Sequence, residues 1–238
     1  MDMNPETQPS MASTSAATAL ELAIILPTLN ERDNLAPLVE RIEGALGRSG
    51  WEVLIVDDNS ADGTSDEARR LSLSDPRVRV IQRIGRRGLS SAAIEGFCAT
   101  AAPYVAVMDA DHQHDPKLLV ERLATATSAS PDKLSSVANT LARKLTGVDL
   151  SDPMSGFFLL RSATARELVP GLSGIGFKIL LDLLATSETP LKVKDFPMNF
   201  SARRSGESKL DRAIALDFLA GLYDKSFGRV IPTRFALF

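Results

Sequence analysis

Two hydrophobic runs in this chain end on paired carboxylates. Val53-Leu54-Ile55-Val56 leads into Asp57-Asp58, and Tyr104-Val105-Ala106-Val107-Met108 leads into Asp109-Ala110-Asp111. Apolar runs of this kind read as strands of an α/β sheet, whose parallel strands deliver their C-terminal ends to one crevice. Both acidic pairs can therefore meet around a single ligand, an arrangement that suits a metal-bridged nucleotide diphosphate.

The periodicity around these strands supports that reading. Glu21 to Leu26 is a short apolar run stopped by Pro27, and Asn34 to Leu46 carries Leu35, Leu38, Val39, Ile42 and Leu46 at helical spacing. After the Val53 strand, Asp62-Gly63 makes a turn and Thr64 to Leu73 forms a second helix. Arg77 to Gln82 alternates like a strand, Gly85 to Gly88 is a loop, and Ser90 to Ala101 is helical before the Tyr104 strand. This β-α-β-α-β-α-β order predicts a largely parallel, doubly wound sheet. Beyond it, Pro116 opens a helix that fades near Thr127, and Leu134 to Leu145 forms another. Phe157 to Leu160 reads as a strand, Phe177 to Ala185 as a helix, and Leu191 to Phe200 as a strand ending in Arg203-Arg204.

Composition narrows the function. At 238 residues and 44% hydrophobic content the chain can bury a full core as one domain with tails. A formal charge of -3 gives no electrostatic reason to hold DNA or RNA. Cys98 is the single cysteine, on a helical segment where it is expected to pack, so no internal disulfide can form. Residues 1–19, rich in Ser, Ala, Thr and Pro, read as a disordered tail rather than a secretory signal. No stretch reaches the roughly 18 consecutive apolar residues of a membrane-spanning helix.

Each motif has a structural and a chemical reading. Pro27-Thr28-Leu29-Asn30-Glu31 lies where the first strand meets the first helix, a place suited to a base and ribose, although Asn30 or Asp33 could simply cap the helix. Adjacent Asp57 and Asp58 repel unless a donor-rich ligand, a cation or water offsets the cost; one could accept from a base or ribose while the other anchors the turn. Asp62 and Gly63 read as turn chemistry. Asp109, Asp111 and the amide of Gln113 are hard oxygen donors that suit magnesium or manganese. His112 and His114 raise a zinc reading, but two histidines with no cysteine make a poor zinc set, and they either face solvent or support the ligands from behind. Arg203-Arg204-Ser205-Gly206-Glu207-Ser208-Lys209 gathers three cations around a glycine, as a loop closing over phosphates would, or as a solvated basic loop would. From Leu210 on, Ile214, Phe218, Leu219, Leu222 and Tyr223 share a face that can lie in a membrane interface or pack on the sheet.

Taken together, Leu26-Pro27-Thr28-Leu29-Asn30-Glu31, Val56 to Thr64, Met108 to His114, Ser155-Gly156-Phe157 and Gly206-Glu207-Ser208-Lys209 resemble the family 2 glycosyltransferases of GT-A fold. The likeness is greatest to the polyprenol-phosphate (dolichol-phosphate) mannosyltransferases. The resemblance implies a mixed, mainly parallel, Rossmann-like sheet flanked by helices over 20–210, with 211–238 as an amphipathic, membrane-interfacial segment. It implies that Pro27, Leu29, Glu31, Val56, Asp58, Asp109, Ala110, Asp111, Gln113, Arg203 and Lys209 hold the nucleotide sugar. Asp109, Asp111 and Gln113 would bind Mg2+ or Mn2+, and Arg203 and Lys209 would contact phosphates. Asp109, Asp111, Arg203 and Lys209 would form the catalytic set that the resemblance implies.

The implied reaction is metal-dependent, inverting transfer of a hexosyl group, mannosyl from GDP-mannose, to a polyprenyl (dolichyl-type) phosphate. The place would be the cytoplasmic membrane face, with the chain peripheral or attached through a C-terminal membrane module. Rival readings are a UDP-glucose or related donor with undecaprenyl phosphate, and a nucleotide-sugar-binding protein without acceptor activity. Three departures bear on these. Leu29 stands where many relatives have tyrosine, and Phe158 where many have arginine. Ser128 to Lys133 joins helices between which relatives place a strand, a Gly-Ser-Arg-Tyr-like motif and a basic acceptor loop.

Overall fold

The computed structural model describes residues 19–48, 50–128, 155–176, 178–194 and 196. The expected helix over 134–145, the loop at 203–209, the amphipathic segment over 211–238 and nearly all of the 1–19 tail lie outside the described residues. Five strands form one sheet: β1 (Leu22–Thr28), β2 (Trp51–Asp57), β3 (Val78–Gln82), β4 (Tyr104–Val107) and β5 (Phe158–Arg161). Their order is β3-β2-β1-β4-β5; the first four are parallel, and β5 runs antiparallel to β4. The helices are α1 (Arg32–Leu46), α2 (Thr64–Ser74), α3 (Leu89–Cys98), α4 (Lys117–Ser128), α5 (Ser162–Leu168) and α6 (Ile179–Thr186), with a 3-10 turn at Val169–Gly171.

Alternation along the strands divides the core into two layers. Leu22, Ile24 and Leu26 of β1 join Val53 and Ile55 of β2 under α1, α2 and α4, where Leu35, Leu38, Ile42, Ala68, Leu71 and Leu119 are buried. Ala23 and Ile25, with Leu54, Val56, Val105 and Val107, face α3, α5 and α6, where Ala92, Phe97, Ala165 and Leu183 are buried. Gly96 of α3 lies so close to the sheet that a Cβ there would come within 2.5 Å of Ile25 Cγ2. A helix can approach a strand that closely only at a glycine.

The structure corrects several expectations. Pro27 does not stop the first strand: pairing with β2 continues through Pro27↔Val56 and Thr28↔Asp57. Ile25 and Pro27 turn their backbone groups toward β4, whose ladder has already ended at Ile25↔Val107, so the missing N–H removes no ladder bond. Cys98 is exposed rather than packed, because α3 ends there. Leu191 to Lys194 carry no strand, and α5 with its 3-10 turn fills a stretch whose short, weak periodicity announced no element.

Candidate active site

The loops after β1, β2, β3 and β4 gather at the C-terminal edge of the sheet. The first two close on each other. Asn30 and Asn59 both adopt left-handed backbone, at φ 57° and 56°, which asparagine tolerates. The Asn30 N–H donates to Ser60 Oγ at 2.8 Å, and Asn30 Oδ1 accepts from the Ala61 N–H at 3.2 Å. Glu31 N–H donates to Thr64 Oγ1 at 3.0 Å, and Arg32 N–H to Asp62 Oδ2 at 3.1 Å. The N-terminus of α1 is thus capped from the neighbouring loop. Neither Asn30 nor Asp33 caps it with a side chain, which corrects that expectation.

Asp62 also accepts from Thr64 N–H at 3.0 Å and Thr64 Oγ1 at 2.5 Å, while Gly63 takes φ 90°, so turn chemistry is what these two residues perform. Partial burial works against the Asp62 charge. The hydrogen bonds from the Thr64 hydroxyl and from the Arg32 and Thr64 amides outweigh it and hold the carboxyl below the ordinary aspartate range.

Asp57 and Asp58 divide their work. Asp57, fully buried, accepts from Thr28 Oγ1 (3.2 Å), Ser60 N–H (3.0 Å), Ser60 Oγ (2.5 Å) and Ser65 Oγ (2.5 Å), and so anchors the turn. The cation that relieves the pair comes from the protein. Arg83, with a side chain only 1% exposed, forms an ion pair with Asp58 Oδ1, and Gly88 N–H donates to Asp58 Oδ2 at 2.7 Å. The same guanidinium donates to Glu95 (3.0 Å), Ser91 Oγ (2.6 Å) and the Gly88 carbonyl (3.1 Å). Asp58 keeps acceptor capacity for a ligand, since a carboxylate offers about four lone-pair sites. The sequence reading missed Arg83. No local signal marks it, because the pairing Asp57↔Gln82 that sets residue 83 beside residue 58 exists only in the folded sheet.

Asp109 and Asp111 follow β4 directly. Asp111 is buried and its Oδ1 accepts the Gln113 N–H at 3.1 Å, which ties two residues of the expected donor set together in one short loop. Gly156 lies against Asp109: a Cβ added there would fall within 2.9 Å of Cγ and Oδ1 and closer still to Oδ2. Phe157 fixes that contact from behind, stacked on His114 at 4.9 Å, with Arg122 4.1 Å over its ring and donating to its carbonyl at 2.7 Å. His112 and His114 are both buried, so neither faces solvent. Among the described residues no three His, Cys, Asp or Glu side chains converge on one position. A pair of carboxylates and an amide oxygen does fit a hard divalent cation whose remaining ligands are diphosphate oxygens and water.

A parallel-cored sheet with these acid-ended strands is the GT-A glycosyltransferase fold. The chain belongs to Glycosyl transferase family 2, whose sequence model matches residues 23–161. Among solved structures, Mycobacterium tuberculosis glucosyl-3-phosphoglycerate synthase superposes with a TM-score of 0.57 at 20% identity, over 87% of this chain and 80% of that one. A dolichol-phosphate mannosyltransferase of Pyrococcus furiosus is 36% identical over 86% of this chain and 63% of its own length, so this chain spans less than two thirds of that relative. The protein of that name from Mycosarcoma maydis is 34% identical over 97% of this chain and 88% of its own. The one from Saccharomyces cerevisiae is 35% identical over 86% of each.

Proposed function

We propose that this glycosyltransferase moves a mannosyl group from GDP-mannose to a polyprenyl (dolichyl-type) phosphate, with inversion at the anomeric carbon. The observation that carries the reading is the meeting of two sequence-matched loops at one sheet edge: Leu29 to Glu31 after β1, and Asp109 to Gln113 after β4. Relatives named dolichol-phosphate mannosyltransferase, 34–36% identical, support the choice of sugar and acceptor.

In this reading Pro27, Leu29, Glu31, Val56 and Asp58 receive the nucleoside, with Arg83 holding Asp58 in place. Asp109, Asp111 and Gln113 would hold Mg2+ or Mn2+, whose chemistry is to neutralise charge on the diphosphate. The acceptor is a phosphate monoester and already anionic, so the protein needs no general base. Its task is to hold two like-charged reactants in line, which falls to Arg203 and Lys209. A phosphate oxygen forms the new bond to the anomeric carbon as the bond to the diphosphate breaks, and GDP leaves with the electron pair.

The acceptor is a lipid, so the reaction belongs at a membrane surface, on the cytoplasmic face that supplies nucleotide sugars. Among the described residues no helix is long and apolar enough to cross a membrane. In this reading the chain is peripheral, with the apolar face over 211–238 at the membrane interface, or attached through a C-terminal membrane module.

One observation favours a second reading, a nucleotide-sugar-binding protein without acceptor activity. The alignment with the Mycosarcoma maydis relative runs over 261 positions, more than the 238 residues of this chain, so that relative carries residues with no counterpart here. On the sequence, Ser128 to Lys133 is the connection expected to be short beside the relatives. Transfer of label from GDP-mannose to a short polyprenyl phosphate, with Mn2+ or Mg2+, separates the two. Turnover supports the transferase; GDP-mannose binding without turnover supports the second reading; and turnover with UDP-glucose alone moves the donor assignment to glucose.

A further inference from the structure

His112 stands between two of the expected cation ligands, Asp111 and Gln113, and it adopts left-handed backbone at φ 67°. A side chain so placed is strained, and the conformation persists only where neighbours hold it. Here both ring nitrogens are engaged. Arg41 Nη1 lies 2.9 Å from Nδ1, and the Asn34 carbonyl lies 3.1 Å from Nε2. A guanidinium can only donate and a carbonyl can only accept, so these partners assign the proton to Nε2 and leave Nδ1 as the acceptor. Arg41 also donates from Nη1 to the His112 carbonyl at 3.4 Å and from Nη2 to the His114 carbonyl at 3.3 Å.

One side chain of α1 thus grips the acidic loop at three points, two of them on the backbone. The connection continues past the loop: Asn34 Nδ2 donates to Glu31 Oε2 at 2.6 Å, so the α1 turn that holds His112 also holds a residue of the Leu29 to Glu31 loop. We propose that Arg41 and His112 are positioning residues that lock the Asp109–Gln113 loop in its cation-binding shape and link it to the loop after β1. This rests on the reading of that loop as the donor site. Neither residue touches substrate; they act through the backbone that aims Asp111 and Gln113.

The test uses the full chain and the variants Arg41→Met, Arg41→Lys, His112→Gly and the Met/Gly double, with Arg48→Met as control because that side chain is 92% exposed. Glycine at 112 keeps the left-handed backbone open while removing the ring. Two quantities are measured: amide hydrogen exchange over 109–115, and GDP affinity by calorimetry with and without Mn2+. Arg41→Met and His112→Gly should each speed exchange in 109–115 and weaken Mn2+-dependent GDP binding about tenfold, the lower end for residues that orient metal ligands. Metal-free GDP binding stays as in the parent, the double variant loses little more than the worse single, and Arg41→Lys recovers part of the loss. Lower melting temperatures with parental exchange in 109–115 and parental Mn2+–GDP affinity would overturn the proposal. If the parent binds no GDP at all, the donor-site reading fails by itself. Exchange in 109–115 then decides: faster in both variants supports the lock, unchanged overturns it.

Discussion

Replacing Arg83 by methionine removes the cation from a carboxylate that has little water to turn to. The Arg83 side chain is 1% exposed and that of Asp58 is 8% exposed, so screening relieves little of the loss. After the change Asp58 keeps the Gly88 amide, and Ser91 and the Gly88 carbonyl lose a donor. Glu95 retains Arg86 at 3.0 Å and is better solvated, so its share is small. Breaking a buried pair by removing one partner costs about 3–5 kcal/mol. Against a typical stability of about 5–15 kcal/mol, such a variant is marginal at 37 °C. Urea unfolding read by far-UV circular dichroism measures this directly. The internal control is Asp58→Asn in the Arg83→Met background, which removes the stranded charge. The double variant should be more stable than Arg83→Met by about 1–3 kcal/mol, the penalty of a buried group left without its partner. A loss below about 1 kcal/mol in Arg83→Met, or a double variant no more stable than it, would refute the assignment of Arg83 as the counter-ion.

Other perturbations probe the site from different sides. Gly156→Ala should lower turnover by at least about tenfold with little change in melting temperature, because the added methyl collides with the Asp109 carboxylate; unchanged kcat removes Gly156 from the site. Asp111→Ala should abolish most label transfer, and full turnover would sink the cation assignment. Asp62→Ala should cost about 1 kcal/mol in urea unfolding through the lost cap on α2 and α1. Its pH dependence has a definite sign. The folded Asp62 carboxyl lies below its unfolded value, so its contribution is fully present above about pH 4 and is lost as pH falls through the folded value. The stability gap between parent and variant should therefore close on acidification below about pH 4; a gap that widens there contradicts the hydrogen-bond origin.

The sequence alone carried the parallel core, because short apolar, β-branched runs such as Val53 to Val56, bounded by turn signals, read as strands with both faces covered, and the intervening helices favour parallel connections. It also carried the acidic loops, since carboxylates at strand ends are expensive unless donors, a cation or a ligand offset them. Pairs made across the sheet were not readable in this way. Arg83 looks like one arginine among several before a glycine loop, and Arg41 like a solvated helix cation; only the approach of β3 to β2 and of α1 to the loop after β4 gives them partners. Gly156 likewise reads as a turn until β5, folded antiparallel onto β4, brings it against Asp109. The physical reason is range. Hydrophobic period and turn chemistry are local properties of consecutive residues, whereas a buried ion pair or a glycine contact is set by which distant segments the packed sheet brings within a few ångströms.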